Sequence, residues 1–250
     1  MKNSSWLIKT LVQFTGLVLF FALWQVLSGF YNHVIIPSPM EVVRSIIGQA
    51  SSGELCEHGR QSIVRGLTGF GFALSIGTPL GLLIGLNPVA ASLFRPVVVV
   101  FQVTPLISWL LLAMIWIGFS RVPVFIVFVT TLPLIVINVF QGVHSIDRQL
   151  LQMASVFKIN KDRIIREIYL PQVAPYLMAG IANALGTTWK AVAMSEFLSV
   201  QTGIGASMAV ARINLETADL FAWTITLIVL GMLTDRLLAY LTRRKLSHWM

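Results

Sequence analysis

Two uncharged runs separated by a single arginine limit this chain more than any other feature: 96–120, 25 residues, and 122–143, 22 residues, on either side of Arg121. As a helix rising about 1.5 Å per residue, each run is long enough to cross about 30 Å of hydrocarbon. Four further apolar stretches have comparable length, so the expected spans are 11–30, 66–86, 96–118, 122–143, 174–197 and 220–241. With 56% hydrophobic and only 11% charged residues, and a mean hydropathy of +0.81, a soluble fold would expose more apolar surface than water tolerates. The expected fold class is all-α: a polytopic membrane protein whose residues 1–250 form one transmembrane domain of about six helices.

The first run follows Lys2 and Lys9, as a signal peptide would. At twenty residues it is longer than the roughly 7 to 15 of a signal core, and no small-x-small cleavage site follows it, so it reads as a span. Behind it, Pro37-Ser38-Pro39 marks a turn and 40–50 a short amphipathic helix. The single cysteine, Cys56, permits no internal disulfide and makes no metal cluster with the four scattered histidines. The formal charge of +8 lies in loops beside apolar spans without any basic-aromatic recognition module, which argues against nucleic acid. No phosphate-binding loop, catalytic triad or metal-ligand set occurs, so no catalytic residue or cofactor is expected.

One polar island interrupts the spans. Residues 151–175, LQMASVFKINKDRIIREIYLPQVAP, carry Lys158, Lys161, Arg163 and Arg166 within nine positions. Basic loops flanking spans face the cytoplasm. Met153, Val156 and Phe157, then Ile164, Ile165, Ile168 and Tyr169, recur at three-to-four-residue spacing, which predicts a short amphipathic helix stopped by Pro171 and Pro175. Six spans with both termini inside place Lys2, Lys9, Arg95, Arg148, the four loop residues, Arg236 and the basic run 243–245 on the cytoplasmic side, 12 of the 18 Lys and Arg.

Two features inside the spans stand out. Gly77, Gly81 and Gly85 form a small-xxx-small row that exposes bare backbone on one helix face, where another helix can approach closely. Lys190 and Glu196 fall at or near membrane depth, where an ionised side chain costs about 2.5 to 3.5 kcal/mol. Six residues is roughly 240° of helix, so the two do not share a face. The structural reading is that Lys190 snorkels or that the span is shifted so that both residues approach its outer end.

The frame Gln152, Met153, Ala154, then Lys158, then Ile168-Tyr169-Leu170-Pro171 resembles the cytoplasmic loop of inner-membrane permease subunits of binding-protein-dependent ABC importers. That loop reads Glu-Ala-Ala, three residues, Gly, and later Ile-x-Leu-Pro. Gln152, Met153 and Lys158 depart from it. The third span, from Thr104-Pro105-Leu106-Ile107-Ser108-Trp109 to Gly118, resembles that family's proline- and tryptophan-bearing third span, and four other features resemble its nitrate, sulfonate and taurine branch: the Pro-Ser-Pro turn, Glu196 followed by Gly203-Ile204-Gly205, Asp235-Arg236, and the basic tail with Trp249. Together these cover nearly the whole chain.

The resemblance implies a permease subunit in the inner membrane of a prokaryote, with both termini cytoplasmic and the translocation path formed by two copies, identical or closely paralogous. It implies two separate ATP-binding subunits, docked on a coupling loop at 144–173, and an external substrate-binding protein. The loop suits that docking: Val156, Phe157 and Ile164 can enter an apolar groove while Lys158, Lys161 and Arg163 meet an acidic rim, beside Gln152, Met153, Ala154, Leu170 and Pro171. Lys190, Glu196, Thr104 and Ser108 are the candidate path residues, with Lys190 facing the path and Glu196 holding its charge in check, across the dimer axis for instance. The branch implies a small anion such as a sulfonate, taurine or nitrate. Relatives that carry vitamin precursors are an alternative, and an ATP-independent secondary transporter, which would show internal repeats, is a further one.

Overall fold

The computed structural model describes residues 2–246, apart from the side chains of 2–11, 13, 14, 17, 148, 161 and 241–246. Among these residues there are only helices, turns and bends. The long helices are α1 (Lys2–Phe30), α3 (Glu54–Leu86), α6 (Val122–His144), α9 (Leu170–Ser199) and α11 (Thr217–Leu246). Shorter ones join them: α2 (Pro39–Ser52), α4 (Pro88–Val103), α5 (Leu106–Ile117), α7 (Arg148–Val156), the single turn α8 (Lys161–Ile164) and α10 (Ile204–Ile213). α3, α6 and α11 are long and apolar enough to cross a membrane, and α4 with α5 would make a fourth crossing if counted as one.

The expected short helix at 40–50 is α2, opened by a capping box. The Ser38 hydroxyl accepts the Glu41 N–H, and the Glu41 carboxylate accepts the Ser38 N–H at 2.8 Å. That backbone bond holds the exposed Glu41 carboxyl below its ordinary range. Gly53, at φ +84°, turns the chain directly into α3, so the second long helix begins at Glu54, twelve residues before the expected span.

Expected span 96–118 is not one helix. Asn87 caps α4 by accepting the Val89 and Ala90 N–H groups, and the chain breaks at Thr104-Pro105, where α5 departs at 100°. Pro105 has no N–H to continue the ladder and holds Thr104 extended at ψ 127°. Trp109 bridges the break through its ring contacts with Phe101 and Phe125.

α6 is the hub of the fold: 61% of its apolar window is buried, against 28% for α3 and 11% for α11. Against it lies a small-residue row on α3, Gly69, Ala73, Gly77, Gly81 and Gly85, facing the β-branched ridge Val127, Thr131, Ile135, Val139 and Val143. A Cβ on Gly81 would stand 2.7 Å from the Val139 Cβ and 2.8 Å from the Val136 carbonyl oxygen. One on Gly85 would stand 2.7 Å from the Val143 Cβ. The partner of the glycine row is thus a helix of the same chain. Because both rows of every-fourth residues climb together, α3 and α6 run parallel, and the bent α4–α5 pair must carry the chain back between them.

α9 packs antiparallel on α6: Gly142 lies under Tyr176, and Gly180 under Asn138. α11 returns antiparallel to α9, with the Trp189 Nε1–H donating to Thr234 Oγ1 at 2.9 Å. The prolines at 171 and 175 do not stop a helix, contrary to expectation. Residues 165–169 form a π-helical turn in which the Leu170 N–H reaches the Ile165 carbonyl; the wider turn accommodates Pro171, and the helix runs on from Lys161 to Ser199. The expected tail features Trp249 and 247–250 lie outside the described residues.

Candidate functional site

The basic loop is α7, a tight turn, and the α8 entry into α9. Asp147 caps α7 by accepting the Gln149 N–H at 2.8 Å. At its other end the Ile159 N–H bonds the Ala154 carbonyl and the Lys158 N–H bonds the Ser155 carbonyl, the paired bonds of a Schellman stop. That stop requires a left-handed residue, and Lys158 supplies it at φ +52°. The family resemblance puts glycine at this position, and the geometry explains why.

The inner side of α7 carries buried Ala154 and half-buried Leu151, the latter against the main core. Its outer side and tip carry Met153, Val156 (76% exposed) and Phe157 (73% exposed), with exposed Gln152 and Lys158 beside them. Ile164 and Pro171 are half-buried, while Leu170 is exposed. Arg163 is taken up within the chain by Glu167, one helical turn on, at 2.8 Å. The Lys161 side chain lies outside the described residues.

Lys190 and Glu196 have separate surroundings. Lys190 is exposed on α9, on a face with Asn183, Gly186 and Met194, where a Cβ added to Gly186 would meet nothing within 4 Å. Glu196 is fully buried. One of its carboxylate oxygens accepts from Arg65 at 2.7 Å; the other accepts from the Ser62 hydroxyl at 2.7 Å and the Gly205 N–H at 3.1 Å. Arg65 also donates to the Thr202 carbonyl at 2.6 Å and to its hydroxyl at 3.0 Å. The Ile204 N–H goes to Ser62 Oγ, and the Gly203 N–H to His58 Nδ1.

The first N–H groups of α10, which have no partner within the helix, are therefore capped by side chains from α3 and by Glu196, whose negative charge sits at the positive end of the α10 dipole. Gly203, at φ +109°, lies so close to the Glu196 carboxylate that a Cβ would collide with it, and a Cβ on Gly205 would collide with the Ala193 carbonyl. Glu196 is thus the centre of a buried clasp joining α3, α9 and α10. It is not the counter-charge of Lys190 in this chain, because it is fully buried and paired with Arg65 while Lys190 is exposed.

Sequence reasoning missed His58, Ser62 and Arg65. Their signal was present: three polar residues at i, i+4 and i+7 on one face of a helix that soon turns apolar. Thr104 and Ser108 flank the α4–α5 break. The Thr104 hydroxyl returns to the Val100 carbonyl at 2.6 Å, and Ser108 is half-exposed. Among the described residues no cluster of three or more His, Cys, Asp or Glu could hold a metal ion.

Residues 77–247 match the family described as binding-protein-dependent transport system inner membrane component. The chain is 32% identical over 249 residues to a putative aliphatic sulfonates transport permease protein of Escherichia coli, covering 98% of this chain and 93% of that protein. It is 29% identical over 227 residues to a probable ABC transporter permease protein of Brucella melitensis, covering 90% and 92%. To the bicarbonate transport system permease protein of Synechococcus elongatus it is 28% identical over 184 residues, covering 73% and 66%. Among solved structures, the inward-facing methionine ABC transporter MetNI superposes with a TM-score of 0.64 at 18% identity, over 81% of this chain and 99% of that one, a likeness of fold.

Proposed function

The chain belongs to the family of binding-protein-dependent transport system inner membrane components, and from that premise we propose that α7 is the surface on which an ATP-binding subunit docks and that the α9 face around Lys190 lines the path of a small anion. The protein is the membrane-embedded permease subunit of an ABC importer. Hydrolysis belongs to separate ATP-binding subunits, and delivery of the solute to an external binding protein.

The observation that carries the docking assignment is the tip of α7. Val156 and Phe157 stand about three-quarters exposed, next to Lys158, on a helix whose opposite side is packed into the core. A short amphipathic helix held rigidly, with its apolar tip unburied, is what a groove on a partner takes up. α7 lies in the connection between the end of α6 and the entry into α9, so force applied there reaches both central helices.

The anion follows from two supports. The sulfonate and bicarbonate permeases named above are matched along most of this chain. Lys190 stands on an exposed α9 face with no ion-pair partner among the described residues, and two copies meeting there would set two positive charges beside the path in a low dielectric. In this arrangement the subunit acts as a homodimer in the inner membrane, with its termini and α7 in the cytoplasm. The deciding experiment is reconstitution with its ATP-binding subunit and binding protein in liposomes, followed by uptake of ethanesulfonate and bicarbonate and by co-purification of the ATP-binding subunit with Phe157→Asp. Retention of the ATP-binding subunit by that variant at wild-type level would refute α7 as the docking surface.

A further inference from the structure

A cavity of about 210 Å³ opens between α3, α4 and α6 near their loop-side ends. Its walls are apolar, with Ile84, Val98, Val99, Val136 and Ile137, but three long polar side chains reach its rim: Arg95, Gln102 and Gln141. Among the described residues Arg95 has no ion-pair partner, and neither glutamine side chain makes a hydrogen bond. The Arg95 guanidinium lies over the Phe140 ring, 5.6 Å from its centroid, and the same ring packs on His144 at 4.2 Å. The contact with Phe140 favours a position of the exposed cation at the cavity mouth and leaves its N–H edge free to donate.

A guanidinium held over a ring with its edge donors unused, two exposed amides lining the same cavity and an apolar chamber behind them suit one kind of ligand: an oxyanion carrying a short apolar group. Arg supplies paired N–H donors for two oxygens, a glutamine amide can take a third, and the branched walls shelter the carbon chain. We propose that this cavity is an anion-binding site at the inner end of the permease, formed by Arg95, Gln102 and Gln141, which takes either the anionic solute as it leaves or the phosphate of a membrane lipid headgroup. The first of these rests on the anion substrate put forward above. Phe140 and His144 form the last turn of α6, which leads directly into the loop carrying α7, so movement of that loop would alter the grip on the ligand.

The test is a melting titration of the purified permease–ATPase complex, with sodium ethanesulfonate against sodium chloride at equal ionic strength, and separately in nanodiscs with and without phosphatidylglycerol. A saturable rise in melting temperature for wild type, abolished by Arg95→Gln and by Gln102→Leu and partly kept by Arg95→Lys, is expected for ethanesulfonate if the solute is the ligand, and for phosphatidylglycerol if the headgroup is. If Arg95→Gln does not assemble, the Gln102→Leu and Arg95→Lys pair decides the same point. A rise that Arg95 and Gln102 variants share with wild type, or no rise with either anion, overturns the site. Uptake of ethanesulfonate by wild type is scored separately: uptake with an Arg95-independent titration removes the site and leaves the substrate assignment, and an Arg95-dependent titration with no anion uptake does the reverse.

Discussion

At the scale of single residues, the buried pair Arg65–Glu196 decides more than any exposed charge. Truncating one partner strands the other in a low-dielectric interior, and breaking a buried pair in this way costs about 3 to 5 kcal/mol. Arg65→Leu is therefore expected to lower the melting temperature of the detergent-purified permease markedly. Glu196→Gln should be milder, since an amide oxygen can still accept from Ser62 or Gly205, and Arg65→Leu combined with Glu196→Leu should recover part of the loss because no unpaired charge remains. Melting curves of the three variants check this; a double variant worse than Arg65→Leu would show that the clasp is not governed by charge pairing. Lys158 makes a second point. It holds a left-handed conformation that costs a side-chain-bearing residue about 1 kcal/mol relative to glycine. Lys158→Gly should slow amide exchange at the end of α7, whereas Lys158→Ala should not. Equal exchange in both variants would mean that the Schellman turn carries no strain.

At the scale of elements, the α3–α6 contact is the most demanding. It joins backbone to β-branched side chains without room for a methyl group, and in lipid such packing is not replaced by a hydrophobic drive. Gly81→Leu must displace α6 from its Val136 and Val139 contacts, so a lower melting temperature and reduced uptake are expected. An unchanged melt would contradict the close approach seen here. α7 has the opposite character: its tip is exposed and contributes little to the fold. Phe157→Asp should leave the permease inserted and its melting temperature close to wild type, but should strip it of the ATP-binding subunit, since an aspartate in an apolar groove is an unpaired buried charge. Measuring melting and co-purification together separates a docking defect from a folding defect.

At the scale of the whole molecule, the parallel α3 and α6, the antiparallel α9 and the returning α11 leave the loop, the end of α6 and the Arg95 cavity at one end of the bundle. The α10 clasp and α2 lie at the other. Lys190 lies between, on an exposed face of α9. Lys190→Gln should reduce uptake at limiting solute while the complex still assembles, and Lys190→Arg should be closer to wild type because it keeps the charge. Uptake by Lys190→Gln equal to wild type would place the ammonium at the interface as a snorkelling group instead.

The sequence by itself determined the all-helical membrane class, because long uncharged runs have few other ways to satisfy their backbone. It also determined where the basic loop lies, because charge is excluded from lipid, and where two helices could come close, because three glycines share a face. Only the tertiary structure decided that this face meets α6 of the same chain, since small residues permit an approach without naming a partner. It decided that the third span bends by 100° at Pro105 and that Pro171 is absorbed in a π-helical turn, because a proline's effect depends on whether the neighbouring carbonyls can be re-paired. It decided as well that Glu196 belongs to Arg65, a residue 131 positions away. Local periodicity registers only neighbours within a few turns, and the pairing of buried charges is set by which helices the fold brings side by side.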